Sequence, residues 1–179
     1  MRIISGIYSS RKLFGYDIDG IRPTMDKVKE SLFAMINYKL NNSICLDLFA
    51  GTGSLGIEAI SNGASYVYFV DNNINSIKTL RKNIENIDIC DKVNIVNSDY
   101  KEAIKKYPLL IFDIIFVDPP YGVIKIEDVI KEILNKNILK KDGLIICEYE
   151  NEELKDSYGN LNKFKHKRYG KTYITIYRN

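Results

Sequence analysis

From Ile44 onward, short apolar runs alternate with stretches of helical periodicity, and this alternation constrains the fold more than any other feature of the chain. Strand-like runs span Ile44 to Phe49, Tyr66 to Val70, Val93 to Val96, Phe112 to Val117 and Leu144 to Tyr149. Helical stretches lie between them, near Leu55 to Ser61, Ile74 to Asn86, Tyr100 to Lys106 and Glu127 to Asn135. Strands separated by helices predict a parallel sheet covered on both faces. The pattern changes at the end, where Phe164 to Tyr169 and Thr172 to Tyr177 are joined only by Gly170-Lys171, which predicts an antiparallel hairpin. The expected architecture is α/β, with a mostly parallel seven-stranded sheet closed by a C-terminal antiparallel hairpin. The residues up to Gly20 read as short strands with turns at Gly6, Gly15 and Gly20. Arg22-Pro23-Thr24 then leads into a helix, with Thr24 as the expected N-cap, Asp26 in the first turn and Val28, Leu32, Met35 and Ile36 as one apolar stripe.

Composition narrows the class. A chain of 179 residues, 45% apolar and 27% charged, is expected to form one globular domain with a substantial core. The net charge is only +3, but it is unevenly placed. Arg2, Arg11 and Lys12 occur in the first 12 residues without an acid, and Lys163, Lys165, Lys167, Arg168, Lys171 and Arg178 occupy the C-terminal stretch without one. Such ends suit a polyanionic partner, although solvated lysines guarding an edge strand would look the same. Cys45, Cys90 and Cys147 have no metal-ligand spacing, so neither a metal site nor a disulfide framework is expected. His166, the single histidine, lies in a basic run and is not a catalytic candidate. No apolar stretch near Met1 suggests a signal peptide or membrane span, and a cytoplasmic, reducing compartment is expected.

Gly51-Thr52-Gly53-Ser54-Leu55-Gly56 follows the first strand of the alternating region and opens a helix. Glycines there permit a tight turn and close approach of a ligand to backbone, which marks a nucleotide-type site without naming the ligand. Asp47, four residues earlier, argues against a pyrophosphate, which it would repel. It favours S-adenosylmethionine, which carries an ammonium and a sulfonium; a carboxylate that merely caps the turn is the alternative. Asp71 ends the second strand, where a carboxylate can accept from both ribose hydroxyls, and Asn72 follows it. Asp99, after Asn97-Ser98, can accept from an adenine amine, cap the following helix, or do both. The glycine loop, Asp71, Asp99 and Asp118 each follow a different strand. In an open parallel sheet, those strand ends share the edge where ligands bind.

Asp118-Pro119-Pro120-Tyr121 closes the strand Ile114-Ile115-Phe116-Val117. An aromatic exocyclic amine is a poor nucleophile until its nitrogen becomes tetrahedral. Acceptors aimed at its N–H bonds favour that change and stabilise the developing positive charge. Asp118 supplies an ionised acceptor, the Pro119 carbonyl a second on restricted backbone, and Tyr121 a face for stacking an unpaired base. A sulfonium donor is already activated, so no metal is called for. These residues point to methyl transfer onto an amine.

With these motifs in place, the sequence resembles the RsmD family, bacterial methyltransferases that modify guanine N2 in small-subunit (16S) rRNA. The resemblance is carried by Arg2-Ile3-Ile4-Ser5-Gly6, Ser10-Arg11-Lys12-Leu13, Gly20-Ile21-Arg22-Pro23-Thr24, Leu46-Asp47-Leu48-Phe49-Ala50-Gly51-Thr52-Gly53, Asp118 to Tyr121 and Tyr169-Gly170-Lys171-Thr172. It implies a Rossmann-like class I methyltransferase fold, with a small N-terminal β-hairpin extension over residues 1–23 and a catalytic core over 24–179. It implies S-adenosylmethionine as donor, held by Asp47, Phe49, Ala50, Gly51, Thr52, Gly53, Asp71, Asn72, Ser98 and Asp99. It implies a catalytic element of Asp118, Pro119, Pro120 and Tyr121. Arg2, Arg11 and Lys12 would meet rRNA phosphates, with Arg22, Pro23 and Thr24 beside the reacting base. The implied acceptor is a hairpin-loop guanine on an assembled or assembling small subunit, met by a monomer. Two departures stand out: Ser10 where the family often has Gly, and Asp71 where Glu is common.

Rival readings are an amino-methyltransferase acting on DNA adenine or protein glutamine, a nucleotide-dependent oxidoreductase, and a non-catalytic RNA-binding protein on the same fold. Asp118 does not separate the first two substrates. Asp47 and the Pro-Pro turn disfavour the oxidoreductase, and an intact Asp118-to-Tyr121 element disfavours the non-catalytic protein.

Overall fold

A computed structural model describes residues 1–15, 23–109, 111–120, 122–150 and 153–179. Arg22 and Tyr121 lie outside the described residues, and Pro23 and Thr24 are described by their backbone alone. The chain runs α1 (Pro23–Leu40), β1 (Ile44–Asp47), α2 (Ser54–Ser61), β2 (Tyr66–Asp71), α3 (Ile74–Ile87), β3 (Val93–Asn97), α4 (Tyr100–Lys106), β4 (Phe112–Val117), α5 (Ile126–Lys136), β5 (Leu139–Tyr149), β6 (Ser157–Tyr158), β7 (Leu161–Tyr169) and β8 (Thr172–Arg178). The sheet order is β3-β2-β1-β4-β5-β8-β7-β6. The first five of these are parallel, and β8, β7 and β6 run antiparallel to their neighbours. The sheet of the described residues thus has eight strands rather than the expected seven. The addition, β6, is two residues long, too short to leave a period in the sequence. Helix α1 begins at Pro23, so Thr24 belongs to its first turn and is not the residue before it. Proline at a first helical position loses no hydrogen bond, because that N–H has no partner within the helix. β5 starts five residues before the expected Leu144, across a register shift opposite Phe112 and Ile114 that breaks the apolar pattern with Lys140, Lys141 and Asp142.

Alternation along the strands sorts the core into two layers. Cys45, Phe116, Ile146 and Ile176 face α1, α2 and α3, where they meet Leu32, Phe33, Ile57 and Leu80. Leu46, Ile115, Ile145 and Tyr177 face α4 and α5, where they meet Ile104, Val129 and Ile133. Each buried Leu, Ile or Phe contributes roughly 1.5–3 kcal/mol relative to exposure.

The N-terminal extension is a small antiparallel turn. Arg2 pairs with Lys12, Ile3 N–H donates to Arg11 O at 2.9 Å, and Leu13 N–H donates to Met1 O at 2.9 Å. Ser10 holds φ at 71°, in the left-handed region that glycine adopts most readily. Glu58 of α2 anchors this turn to the core. Its buried carboxylate accepts from Ile4 N–H at 2.9 Å, Ser5 N–H at 2.7 Å and Ser5 Oγ–H at 3.0 Å, and it pairs with Lys29 Nζ at 3.0 Å.

Candidate functional site

The carboxyl ends of β1, β2, β3 and β4 meet at one edge of the sheet, and two cavities open there. The smaller, of about 240 Å³, is bounded by Phe49, Asp71, Asn72, Ser98, Asp99 and Pro120 among others. The larger, of about 370 Å³, lies on the α1–α2 side and is bounded by Met1, Asp26, Lys29, Leu55, Glu148 and the Tyr169-Gly170-Lys171-Thr172 turn. Asp118 lines both cavities. Side chains in the first can meet a nucleoside, and the second leads from Asp118 toward the N-terminal turn and the β7–β8 hairpin.

The glycine loop shapes the wall between strand and ligand space. Gly53 precedes α2 with φ at 90°, a conformation L side chains rarely adopt. A Cβ at Gly56 would fall 2.2 Å from the Phe69 ring, so only glycine lets α2 lie this close to β2. At Gly51 the space a Cβ would fill is empty to 4 Å, leaving room for a ligand against the backbone. Thr52 Oγ1 is buried without a partner among the described residues. Asp71 holds the loop, accepting from Gly51 N–H at 2.7 Å and Asn73 N–H at 2.8 Å. Each of its oxygens keeps a second lone pair for a diol. Asp99 accepts from Lys101 N–H at 2.8 Å as the cap of α4 and also lines the cavity.

Asp47 is placed differently from its sequence reading. It is buried beneath the loop, lines neither cavity, and accepts from Gly56 N–H at 3.0 Å. The capping alternative describes this contact, and any effect on a bound cation acts through the field rather than by touch. Burial raises the Asp47 carboxyl to about 7, against the lowering effect of the Gly56 bond and with a further rise from Asp71. Asp118 is raised well above the ordinary carboxylate range, first by burial and then by Glu148 and Asp47. Glu148 is raised to about 7 by burial and by Glu150. The carboxyl groups at this edge resist ionising together, and a cation among them would favour their charged forms. Neither the Asp118 carboxylate nor the Pro119 carbonyl is hydrogen-bonded to a described residue, so both can accept from a ligand.

A family model described as Conserved hypothetical protein 95 matches residues 1–178. The chain belongs to this family, the RsmD family. It is 37% identical over 151 residues to the Ribosomal RNA small subunit methyltransferase D of Buchnera aphidicola, covering 84% of this chain and 78% of that one. It is 33% identical to the protein of the same name from Haemophilus influenzae, covering 100% of this chain and 94% of that one. Among solved structures, "Putative methyltransferase yhhF from Escherichia coli" superposes with a TM-score of 0.89 at 30% identity, covering 100% of this chain and 97% of that one.

The RsmD-family positions divide into three groups. Phe49, Asp71, Asn72, Ser98, Asp99, Asp118 and Pro120 line the cavities, and Pro119 is buried between them. Ala50, Gly51, Thr52 and Gly53 form the loop wall without bounding either cavity. The basic N-terminal residues are only partly available. Arg2 Nε pairs with Asp26 at 3.2 Å, Arg11 Nη1 donates to Ile87 O at 3.0 Å and its guanidinium lies over Tyr8, while Lys12 is exposed. Four features of the site are absent from the sequence reading of its chemistry: Glu148, Glu150, Lys29, and the Tyr169-to-Thr172 turn as a wall. Glu148 is the last residue but one of β5, beside the Asp118 strand, so the strand-end argument extended by one strand would have found it. Among the described residues no cluster of His, Cys, Asp or Glu could hold a metal ion, and no helix is long and apolar enough to cross a membrane.

Proposed function

We propose that this protein transfers a methyl group from S-adenosylmethionine to the exocyclic N2 amine of a guanine in small-subunit rRNA. The observation that carries the reading is Asp118, an acceptor with no described partner, standing where a nucleoside-sized cavity meets a second, open one. S-adenosylmethionine supplies a methyl group already activated on a sulfonium. The chain supplies the rest. Asp71 and Asp99 present acceptors to a ribose and an adenine amine, and Phe49 offers an apolar face. Asp118 and the Pro119 carbonyl orient the target amine and stabilise positive charge as its nitrogen becomes tetrahedral. Asp118 need not be a strong base, because the amine proton turns acidic once the methyl is attached. Burial and the neighbouring Glu148 and Asp47 disfavour its charged form, and a donor N–H from the substrate, or a cation beside it, acts in the opposite direction toward the charged form the reaction needs.

The rRNA acceptor is supported by the names of family relatives, by Lys171 in the wall of the larger cavity, and by the exposed basic residues Lys12, Lys167 and Arg168 elsewhere on the N-terminal turn and β7. A base inside a helix must be splayed out to reach Asp118. We place the protein in the cytoplasm, acting as a monomer on an assembled or assembling subunit, with Tyr121 as the stacking face.

The test offers unmethylated small subunits, naked rRNA, DNA and peptide with labelled donor and maps the product. Methyl on guanine N2 is expected. Methyl on adenine or on protein would overturn the substrate. Asp118→Ala is expected to lower turnover by at least roughly 100-fold, and full activity in that variant would refute the mechanism.

A further inference from the structure

Val117 pairs with Cys147 on parallel strands, so Asp118 and Glu148 are the next residues on adjacent strands and project to the same face of the sheet. Both line the larger cavity. The Glu148 carboxylate has no hydrogen bond or ion pair to a described residue. Its neighbour across β8 is the apolar Ile174. Two cations share the cavity wall, but Lys29 is held by Glu58, and Lys171 is exposed on the turn at the rim. A half-buried acceptor without a partner among the described residues therefore stands beside the reacting acceptor, in the cavity wall and open to a donor from a ligand.

Resting on the guanine-N2 reading above, we infer that Glu148 is a specificity-determining residue that accepts the ring N1–H of the target guanine while Asp118 accepts from its N2 amine. Guanine presents two adjacent donors, N1–H and the N2 amine. Adenine presents a lone pair at N1 next to its amine, which an ionised Glu148 would repel. Two side-by-side carboxylates thus match one purine edge and oppose the other. A donor N–H also favours the ionised form of Glu148, which burial and Glu150 otherwise oppose.

The experiment compares small subunits reconstituted with rRNA carrying either guanine or 2,6-diaminopurine at the methylated position. Diaminopurine keeps the 2-amine and replaces N1–H with a lone pair. The native protein is expected to prefer guanine by roughly 10- to 100-fold in kcat/KM, the weight of one charge-assisted hydrogen bond. Glu148→Gln, whose amide can donate to that lone pair, is expected to bring the two substrates within a few-fold (roughly) of each other, with unchanged affinity for S-adenosylmethionine. A Glu148→Gln protein that keeps the native preference overturns the assignment. So does one that loses donor affinity with preference intact, which would put Glu148 on the donor. Where Glu148→Gln fails to fold, Glu148→Asp is the test: slower turnover on guanine alone supports the assignment, and equal losses on both substrates overturn it. Product on a base other than guanine with the native protein would instead refute the functional reading itself.

Discussion

Removing Glu58 should detach the N-terminal turn and leave a buried lysine without its counter-ion. The Glu58 side chain is 0% exposed and that of its partner Lys29 only 7%, at an Nζ–O distance of 3.0 Å. Breaking one side of such a pair costs about 3–5 kcal/mol, because the remaining charge stays desolvated. The backbone N–H groups of Ile4 and Ser5 also lose their acceptor, but they regain water once the turn opens, so their loss does not add in full. A net cost of about 3–5 kcal/mol is a large share of the roughly 5–15 kcal/mol that holds a domain together. With a urea m-value of about 2 kcal/mol/M, Glu58→Ala should lower the unfolding midpoint by roughly 1.5–2.5 M. Hydrogen exchange should show the amides of Ile4 and Ser5 unprotected in the variant while those of β1 and β4 stay protected. The double variant Glu58→Gln with Lys29→Met should cost less than the sum of its single changes, since neutralising both partners removes the stranded charge. A loss under about 1 kcal/mol for Glu58→Ala, or strict additivity in the cycle, would refute the argument that this pair anchors the extension.

Two further perturbations follow from the geometry of the glycine loop. Asp47→Asn keeps an acceptor for Gly56 N–H but removes a buried group whose pKa is raised from 3.8 to about 7. A raised folded-state pKa means stability is fully present below the unfolded value and is lost as pH rises through about 7. The variant should therefore match the native protein near pH 4 and exceed it near pH 8, by up to about 4 kcal/mol for a shift of about three pH units. Urea midpoints of the ligand-free proteins at the two pH values measure this, and a difference independent of pH would contradict it. Gly56→Ala drives a Cβ to 2.2 Å from Phe69 and 2.9 Å from Val67 Cγ1. With contacts this short the overpacking falls at about 2–3 kcal/mol, which less the roughly 1 kcal/mol that alanine gains in a helix leaves a net cost of about 1–2 kcal/mol, so the unfolding temperature should fall by roughly 2–8 °C. An unchanged or higher unfolding temperature would show that α2 and β2 can separate at little cost.

The parallel half of the sheet was legible because its signal is redundant: its strands are apolar runs rich in Ile, Val, Leu and Phe, and helices of the right length separate them. The polar residues at the strand ends were legible by position, since Asp71, Asp99 and Asp118 all follow strands whose carboxyl ends share one edge. What remained hidden depends on contacts distant in sequence. Glu58 reads as an ordinary helix residue, and only the folding of residues 4 and 5 across α2 turns it into an anchor. Asp47 reads as a cofactor ligand because four residues of spacing cannot tell a side chain aimed into a cavity from one aimed at Gly56 N–H. The Gly170-Lys171 connection reads only as the turn of a hairpin, yet Tyr169 bonds Ser31 of α1 and the turn walls the larger cavity.

One register links stability to chemistry. Asp47 pairs with Phe116 and Phe116 with Ile146, so Asp118 and Glu148, each two residues further along, fall on the face that packs against α1, α2 and α3. Phe33 of α1 lies 6.0 Å, ring to ring, from Phe116, directly along the strand from Asp118. The packing that buries Phe116 and Ile146 is thus continuous with the packing that desolvates the two carboxyls and raises their pKa values. Loosening that layer would admit water, lower those pKa values toward the ordinary carboxylate range, and weaken the electrostatic contacts the site makes with a bound cation or a donor N–H. In this sheet the core packing supplies the largest part of the raised pKa values of the site, and the neighbouring carboxyls Asp47, Glu148 and Glu150 supply the rest.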